Sequence, residues 1–133
     1  MDKIEVKFCL TTSDDTVDLN YISEKLQITP TRIRRKADFL VKSIGLEIPI
    51  NEWLYAVESE CDVVSKVVYI IQNIFEKKKD ILNELCNHYC LKVKVNIIIH
   101  MEDECLPEIV LTQDNLKFFS DINADVGFDI YID

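Results

Sequence analysis

Two histidines and five cysteines are the residues of this chain most able to bind a metal or attack a substrate. The densest group is Cys86-Asn87-His88-Tyr89-Cys90. On a helix, residues four apart share a face, so the two thiolates would hold one side of a zinc ion. A closed site needs two more ligands from Cys61, His100 or Cys105, and none of these has the paired spacing that marks such sites. Cys86 instead continues an apolar stripe with Leu82, Leu85 and Tyr89, so its spacing favours core packing, and no metal or cofactor is expected. A cysteine nucleophile would need a lowered thiol pKa and a histidine in hydrogen-bonding reach. Only His88 and His100 are available, without a local signature, and no catalytic residue is assigned. Carboxylates are so numerous that no pair stands out for hydrolysis. An uncharacterised enzyme built on His100 and a cysteine is therefore the last of three functional readings.

A second pattern is basic. Residues 22–36, from Ile22 through Thr29-Pro30-Thr31 to Arg32-Ile33-Arg34-Arg35-Lys36, have the outline of a helix-turn-helix. Apolar residues at 22, 26, 28 and 33 would join two helices, and Arg32, Arg34, Arg35 and Lys36 would line the one that enters a groove. Gln27 stands where the turn favours glycine, and Lys36 where the second helix should still bury an apolar residue. A strand precedes the unit where a third helix is normally required. The net charge of −9 also opposes binding to phosphates, so nucleic acid is disfavoured as a partner. The plain alternative is a solvated basic turn.

The third pattern is acidic. Residues 1–101 hold 15 acids and 14 bases, whereas residues 102–133 hold nine acids and one base, Lys117. Glu102, Asp103, Glu104 and Glu108 crowd a loop around Cys105-Leu106-Pro107. Asp121 and Asp125 flank the end of the last helix, and Asp129 shares the polar face of the final strand with Tyr131 and Asp133. Such charge can serve solubility and protect a sheet edge. It can also form a docking face for a basic protein, with Leu106 or Tyr131 as an anchor inside a charged rim. No run with the spacing of a calcium loop is present.

The elements that must hold these residues follow from periodicity. Ile4, Val6, Phe8 and Leu10 alternate with polar partners and predict a strand. Asp18 caps a short helix with Leu19, Ile22 and Leu26 on one side, ending by about Ile28 because Pro30 disfavours helical geometry at Thr29. Thr29-Pro30 would open a second helical turn, Thr31 to about Ala37. Residues 44–50 alternate but are weakened as a strand by Gly45 and Pro49; residues 52–58, around Trp53, suit an interior strand. Over 62–89, Val64, Val67, Val68, Ile71, Ile74, Phe75, Leu82 and Leu85 recur at helical spacing. Such a helix would run roughly 42 Å, so a bend is expected near Lys77-Lys78-Lys79-Asp80. Residues 91–101 form a long strand. Leu111 and Leu116 staple a helix capped by Thr112, with Leu116, Phe119 and Ile122 inward. Val126, Phe128, Ile130 and Ile132 close the chain as a strand.

The order β-α-β, long helix, β-α-β predicts one α+β domain over residues 1–133. Its mixed or antiparallel sheet would have four or five strands, with helices on one face in the ferredoxin-like manner. The length suits one core, and two glycines and three prolines leave no linker. No stretch suits a bilayer and the start lacks a signal-peptide pattern, so a cytoplasmic protein with reduced thiols is expected.

The segment Asp18 to Asp38, the lone Trp53 and the ending Leu111 to Tyr131 resemble a bacterial family known as domain of unknown function 4279. That family shows a strand, a short helix ending in leucine-glycine-isoleucine-x-proline-threonine, a basic turn, one tryptophan, a long helix and an aliphatic close. Here the stretch is Leu26-Gln27-Ile28-Thr29-Pro30-Thr31, with Gln27 in place of glycine, and Ala37 replaces a frequent glycine after the basic turn. The resemblance implies a small bacterial cytosolic domain without assigned chemistry, and it carries over no catalytic residues.

The leading expectation is a non-enzymatic protein-binding domain, an immunity or antitoxin-like protein whose acidic face neutralises a basic toxin or nuclease. Its candidate partner-binding residues are Glu102, Asp103, Glu104, Leu106, Glu108, Asp121, Asp125, Asp129 and Tyr131. The alternative is a nucleic-acid-binding or transcriptional module using Arg32 to Lys36.

Overall fold

A computed structural model describes residues 2–36, 50–102 and 106–132 of the chain. The first alternating segment becomes β1 (Lys3–Thr12), with Ile4, Val6, Phe8 and Leu10 buried. The Asp18 carboxylate accepts from the Asn20 and Tyr21 N–H groups and starts α1 (Leu19–Leu26), which buries Leu19, Ile22 and Leu26. Gln27 ends this helix in the left-handed region, at φ 56.

The helix expected from Thr31 is replaced over Arg32–Arg34 by a three-residue strand, β2. Arg-Ile-Arg alternates with period two, and Ile33 turns inward to pack against the core. The Thr31 N–H donates to the Leu54 carbonyl at 2.7 Å, and the Thr31 hydroxyl accepts from the Ala56 N–H at 3.0 Å. These two bonds tie the segment to β3 (Asn51–Glu60), which contains the strand expected around Trp53. The weaker strand expected over 44–50 lies, apart from Ile50, outside the described residues.

The long helical stretch is α2 (Val64–Phe75), one 3-10 turn (Glu76–Lys78) and α3 (Lys79–Tyr89), so the expected bend falls within the lysine run. The Lys78 ammonium reaches back to the Leu26 carbonyl and satisfies one acceptor at the end of α1. After β4 (Lys92–Met101), α4 (Gln113–Asp121) leads into β5 (Ala124–Ile132). Thr112 and Asn115 cap α4 reciprocally. Phe118, Phe119 and Ile122 are buried there, but Leu116 is exposed, so the expected Leu111–Leu116 staple is not made inside the core. The helix phase is set instead by Asn115, whose buried side chain donates to the Gln72 side chain of α2 at 2.8 Å.

The chain is a single α+β domain with a five-stranded mixed sheet in the order β2-β3-β1-β4-β5. β1 runs antiparallel to both β3 and β4, while β4 and β5 are parallel. A ferredoxin-like sheet is antiparallel throughout; here the α4 crossover makes the last pair parallel, as such connections require. The even-numbered side chains of β1 share one cluster with Trp53, the alternate residues of β4 and residues from α1, α2, α3 and α4. Phe8 stacks on Phe75 at 4.1 Å between ring centroids, and Trp53 meets Phe75 edge-on. The indole N–H of Trp53 donates to the Ser23 hydroxyl at 2.9 Å, so its one polar atom is satisfied. The odd-numbered side chains of β1 lie outside this cluster and form the second, largely polar face.

Candidate functional site

Strand register fixes which residues meet on the polar face, because opposed residues point the same way. At one end, Glu60, Lys3, His100 and Tyr131 form a row across β3, β1, β4 and β5. The next row is Glu58, Glu5, Ile98 and Asp129. Further rows hold Ala56, Lys7, Asn96 and Gly127, then Leu54, Cys9, Lys94 and Asp125. Arg32 and Arg34 of β2 lie at the far end, opposite Leu54 and Glu52, with Lys92 beside Thr11. The face is dipolar: Glu5, Glu58, Glu60 and Asp129 dominate one end, and Arg32, Arg34, Lys92 and Lys94 the other.

The acidic end continues onto the adjoining rim. Glu102 follows β4 directly, and its N–H donates to the buried Asp2 carboxylate at 3.2 Å. Glu108 lies beside exposed Asp62, its N–H donating to the Asp62 carbonyl at 2.7 Å and its carbonyl accepting from Val64. The Lys3–Glu58 pair at 3.1 Å and the Lys7–Glu5 pair at 3.9 Å are both solvent-accessible and offset the local negative charge only in part.

The structure brings together some of the acids singled out by sequence and separates others. Glu102, Glu108, Asp129 and Tyr131 belong to the acidic end, where the Tyr131 ring stacks on His100 at 5.3 Å. Asp121 does not: it accepts from Lys79 at 2.9 Å and Lys117 at 3.4 Å. The Lys79 hydrogen bond holds the Asp121 carboxyl below the usual carboxylate range. Asp125 is on the polar face but sits beside Lys94, two rows from Asp129. Leu106 is exposed, and Asp103 and Glu104 lie outside the described residues. Sequence reasoning missed Glu5, Glu58, Glu60 and Asp62, which lie far from the acidic quarter in the chain. For Glu5, Glu58 and Glu60, the odd or even position in β1 and β3, matched through the register, was the signal that could have placed them.

Two of the basic candidates, Arg32 and Lys36, are held by neighbouring carboxylates. Arg32 donates to Glu52 at 3.0 Å, and Lys36 pairs with Asp15 at 3.4 Å while its N–H donates to Asn51 at 2.8 Å. Arg34 follows in β2 and Arg35 comes directly after it. A recognition helix over these residues is excluded by the strand at 32–34.

Neither Cys9 nor Cys86 is an activated thiol. Burial pushes Cys9 and Cys86 up to about 11, away from the thiolate form. Cys9 lies opposite Lys94 in the register, six residues down β4 from His100, a separation of roughly 20 Å. Among the described residues, no three His, Cys, Asp or Glu side chains are grouped to hold a metal ion. Asn83, Asn87, Asn123, Lys92 and Asp125 line an open polar cleft of about 580 Å³ whose wall includes Cys86. No helix among the described residues is long and apolar enough to cross a membrane.

A family profile described as Domain of unknown function (DUF4279) matches residues 2–133. Comparison with the curated proteins and with the solved structures yields no match.

Proposed function

We propose, for a chain that belongs to the DUF4279 family of domains of unknown function, that it is a non-enzymatic protein-binding domain whose acidic end receives a basic partner. An immunity or antitoxin protein covering a cationic toxin or nuclease is the biological setting that this chemistry fits.

The observation that carries the proposal is the convergence of Glu5, Glu58, Glu60 and Asp129 from three strands onto adjoining rows of one face. Glu102, Glu108 and Asp62 extend the same sign around the rim. Carboxylates gathered in this way produce a local field that speeds encounter with a cationic surface and orients it. Asp121 and Asp125 fall outside the contact, since lysines already neutralise or flank them. Tyr131, half exposed and braced by His100, supplies an amphipathic anchor on the edge strand, one row from Asp129. The basic end of the same face gives the partner a preferred orientation, because a reversed approach would set like charges together.

The test is affinity capture from the native host at low ionic strength, repeated with the triple variant Glu58→Lys/Glu60→Lys/Asp129→Lys. A basic protein retained by the wild type, released by salt and lost by the folded variant is the expected result. A retained partner indifferent to both salt and charge reversal contradicts the proposal. The nucleic-acid alternative is judged by titration against duplex DNA at low salt, where no binding is expected.

A further inference from the structure

The two edges of the sheet are protected very differently. β2 is three residues long and carries Arg32 and Arg34, the short and charged kind of edge that resists pairing. β5 is nine residues long, without proline, lysine or arginine. Among the described residues, nothing pairs with its outer side. Its core-side row leaves Phe128 43%, Ile130 47% and Ile132 77% exposed, and Leu116 of the overlying α4 is exposed as well. A long, regular strand with an apolar row at an open edge calls for a strand beside it.

We propose that the occupant is a second copy of this chain, its β5 running antiparallel to the first about a two-fold axis through Phe128. The choice follows from the sequence of the strand. A two-fold pairing that continues the sheet keeps both helix layers on one side, so core-side residues must meet core-side residues. The aspartates fall at 125, 129 and 133. Any two-fold centred on an odd-numbered residue of the strand sets aspartate opposite aspartate, whereas centring on an even-numbered residue never does. Among the even centres, Phe128 alone overlaps all of Ala124–Ile132 with itself. In that register Phe128 faces Phe128, Val126 faces Ile130 and Ala124 faces Ile132, an apolar ladder that covers the exposed row. On the polar side Asp125 faces Tyr131, whose hydroxyl can donate to it, and Asp129 faces Gly127. Every acid thus meets an uncharged neighbour, and the two five-stranded sheets join into one.

This pairing is independent of the proposed basic partner, because Asp129 and Tyr131 remain on the open polar face. The two also respond oppositely to salt. Each copy carries a net charge of −9, so screening favours self-association while it weakens binding of a cationic partner.

Sedimentation velocity over about 1–100 µM, at low and moderate salt, tests the pairing directly. A reversible dimer that tightens with salt is expected. Phe128→Lys, which sets two ammonium groups face to face on the axis, raises its dissociation constant at least about tenfold while circular dichroism stays native. Should that variant unfold, amide exchange of the wild type decides instead: protection within 124–132 grows with protein concentration if the pairing is right. A monomer throughout overturns the inference. So does a dimer that salt weakens, that survives folded Phe128→Lys, or that leaves β5 exchange independent of concentration.

Discussion

Replacing Gln27 with glycine should stabilise the protein. Gln27 closes α1 at φ 56 and ψ 41, with its N–H donating to the Glu24 carbonyl at 3.3 Å and the Ile28 N–H donating to Ser23 at 3.2 Å. An L-residue held in this left-handed conformation costs roughly 1–2 kcal/mol, which glycine does not incur. Glycine in turn adds roughly 0.5–1 kcal/mol of unfolded-chain entropy. The Gln27 side chain is exposed and makes no hydrogen bond among those resolved, so its removal sacrifices little. The net gain is roughly 0.5–1 kcal/mol, or a Tm increase of about 2–5 °C for a domain of this size. Thermal and urea unfolding followed by circular dichroism measure it. Gln27→Ala is the control, since alanine shares the steric penalty and should give no gain. Asn123, at φ 53, should gain less from glycine because asparagine tolerates this region. A neutral or destabilising Gln27→Gly, or an equal gain from alanine, refutes the argument.

Three further outcomes follow from the packing and the thiols. Phe75→Ala, which removes the ring stacked on Phe8 and touching Trp53, should cost about 3–5 kcal/mol in urea unfolding. Asn115→Ala should cost about 2–3 kcal/mol, because it strands the buried Gln72 carbonyl and breaks the cap on α4; Asn115→Ser should recover part of the cap and little of the buried bond. Burial raises the Cys9 and Cys86 thiols to about 11, above the unfolded thiol value of 9.0. Their contribution is therefore fully present below that unfolded value and is lost as pH rises toward 11, so chemical stability should fall across this window and Cys9→Ala/Cys86→Ala should flatten the fall. In the native state, exposed Cys90 should react with a disulfide reagent well before either of them.

Much of the fold was legible because β1, β4 and the α2–α3 stretch carry long, unmixed periods. Asp18 and Thr112 also mark their helix starts with the side chains that the capping geometry uses. The error at residues 32–34 came from giving Thr29-Pro30 the meaning of a helix start. The competing signal, Arg-Ile-Arg alternation, is only three residues long, and its strand forms because β3 offers an edge that local sequence does not reveal. Leu116 misled for a related reason: a helix phase chosen by hydrophobicity alone overlooks that Asn115 is buried through its bond to Gln72. The candidate site was half legible. Charge counting found Glu102, Glu108 and Asp129, but it also included Asp121, which α3 supplies with Lys79. Glu5, Glu58 and Glu60 join the site only through cross-strand register, which no local pattern encodes.

The claim that the acidic end works as a unit can be measured without knowing the partner. An NMR titration with a short oligolysine peptide at low salt reports which amides sense a cation. Perturbations are predicted to cluster at Glu5, Glu58, Glu60, Glu102 and Asp129, to spare Asp114 and Asp121, and to vanish in Glu58→Lys/Glu60→Lys/Asp129→Lys. Shifts spread evenly over all exposed carboxylates, or centred on Asp121, would contradict it.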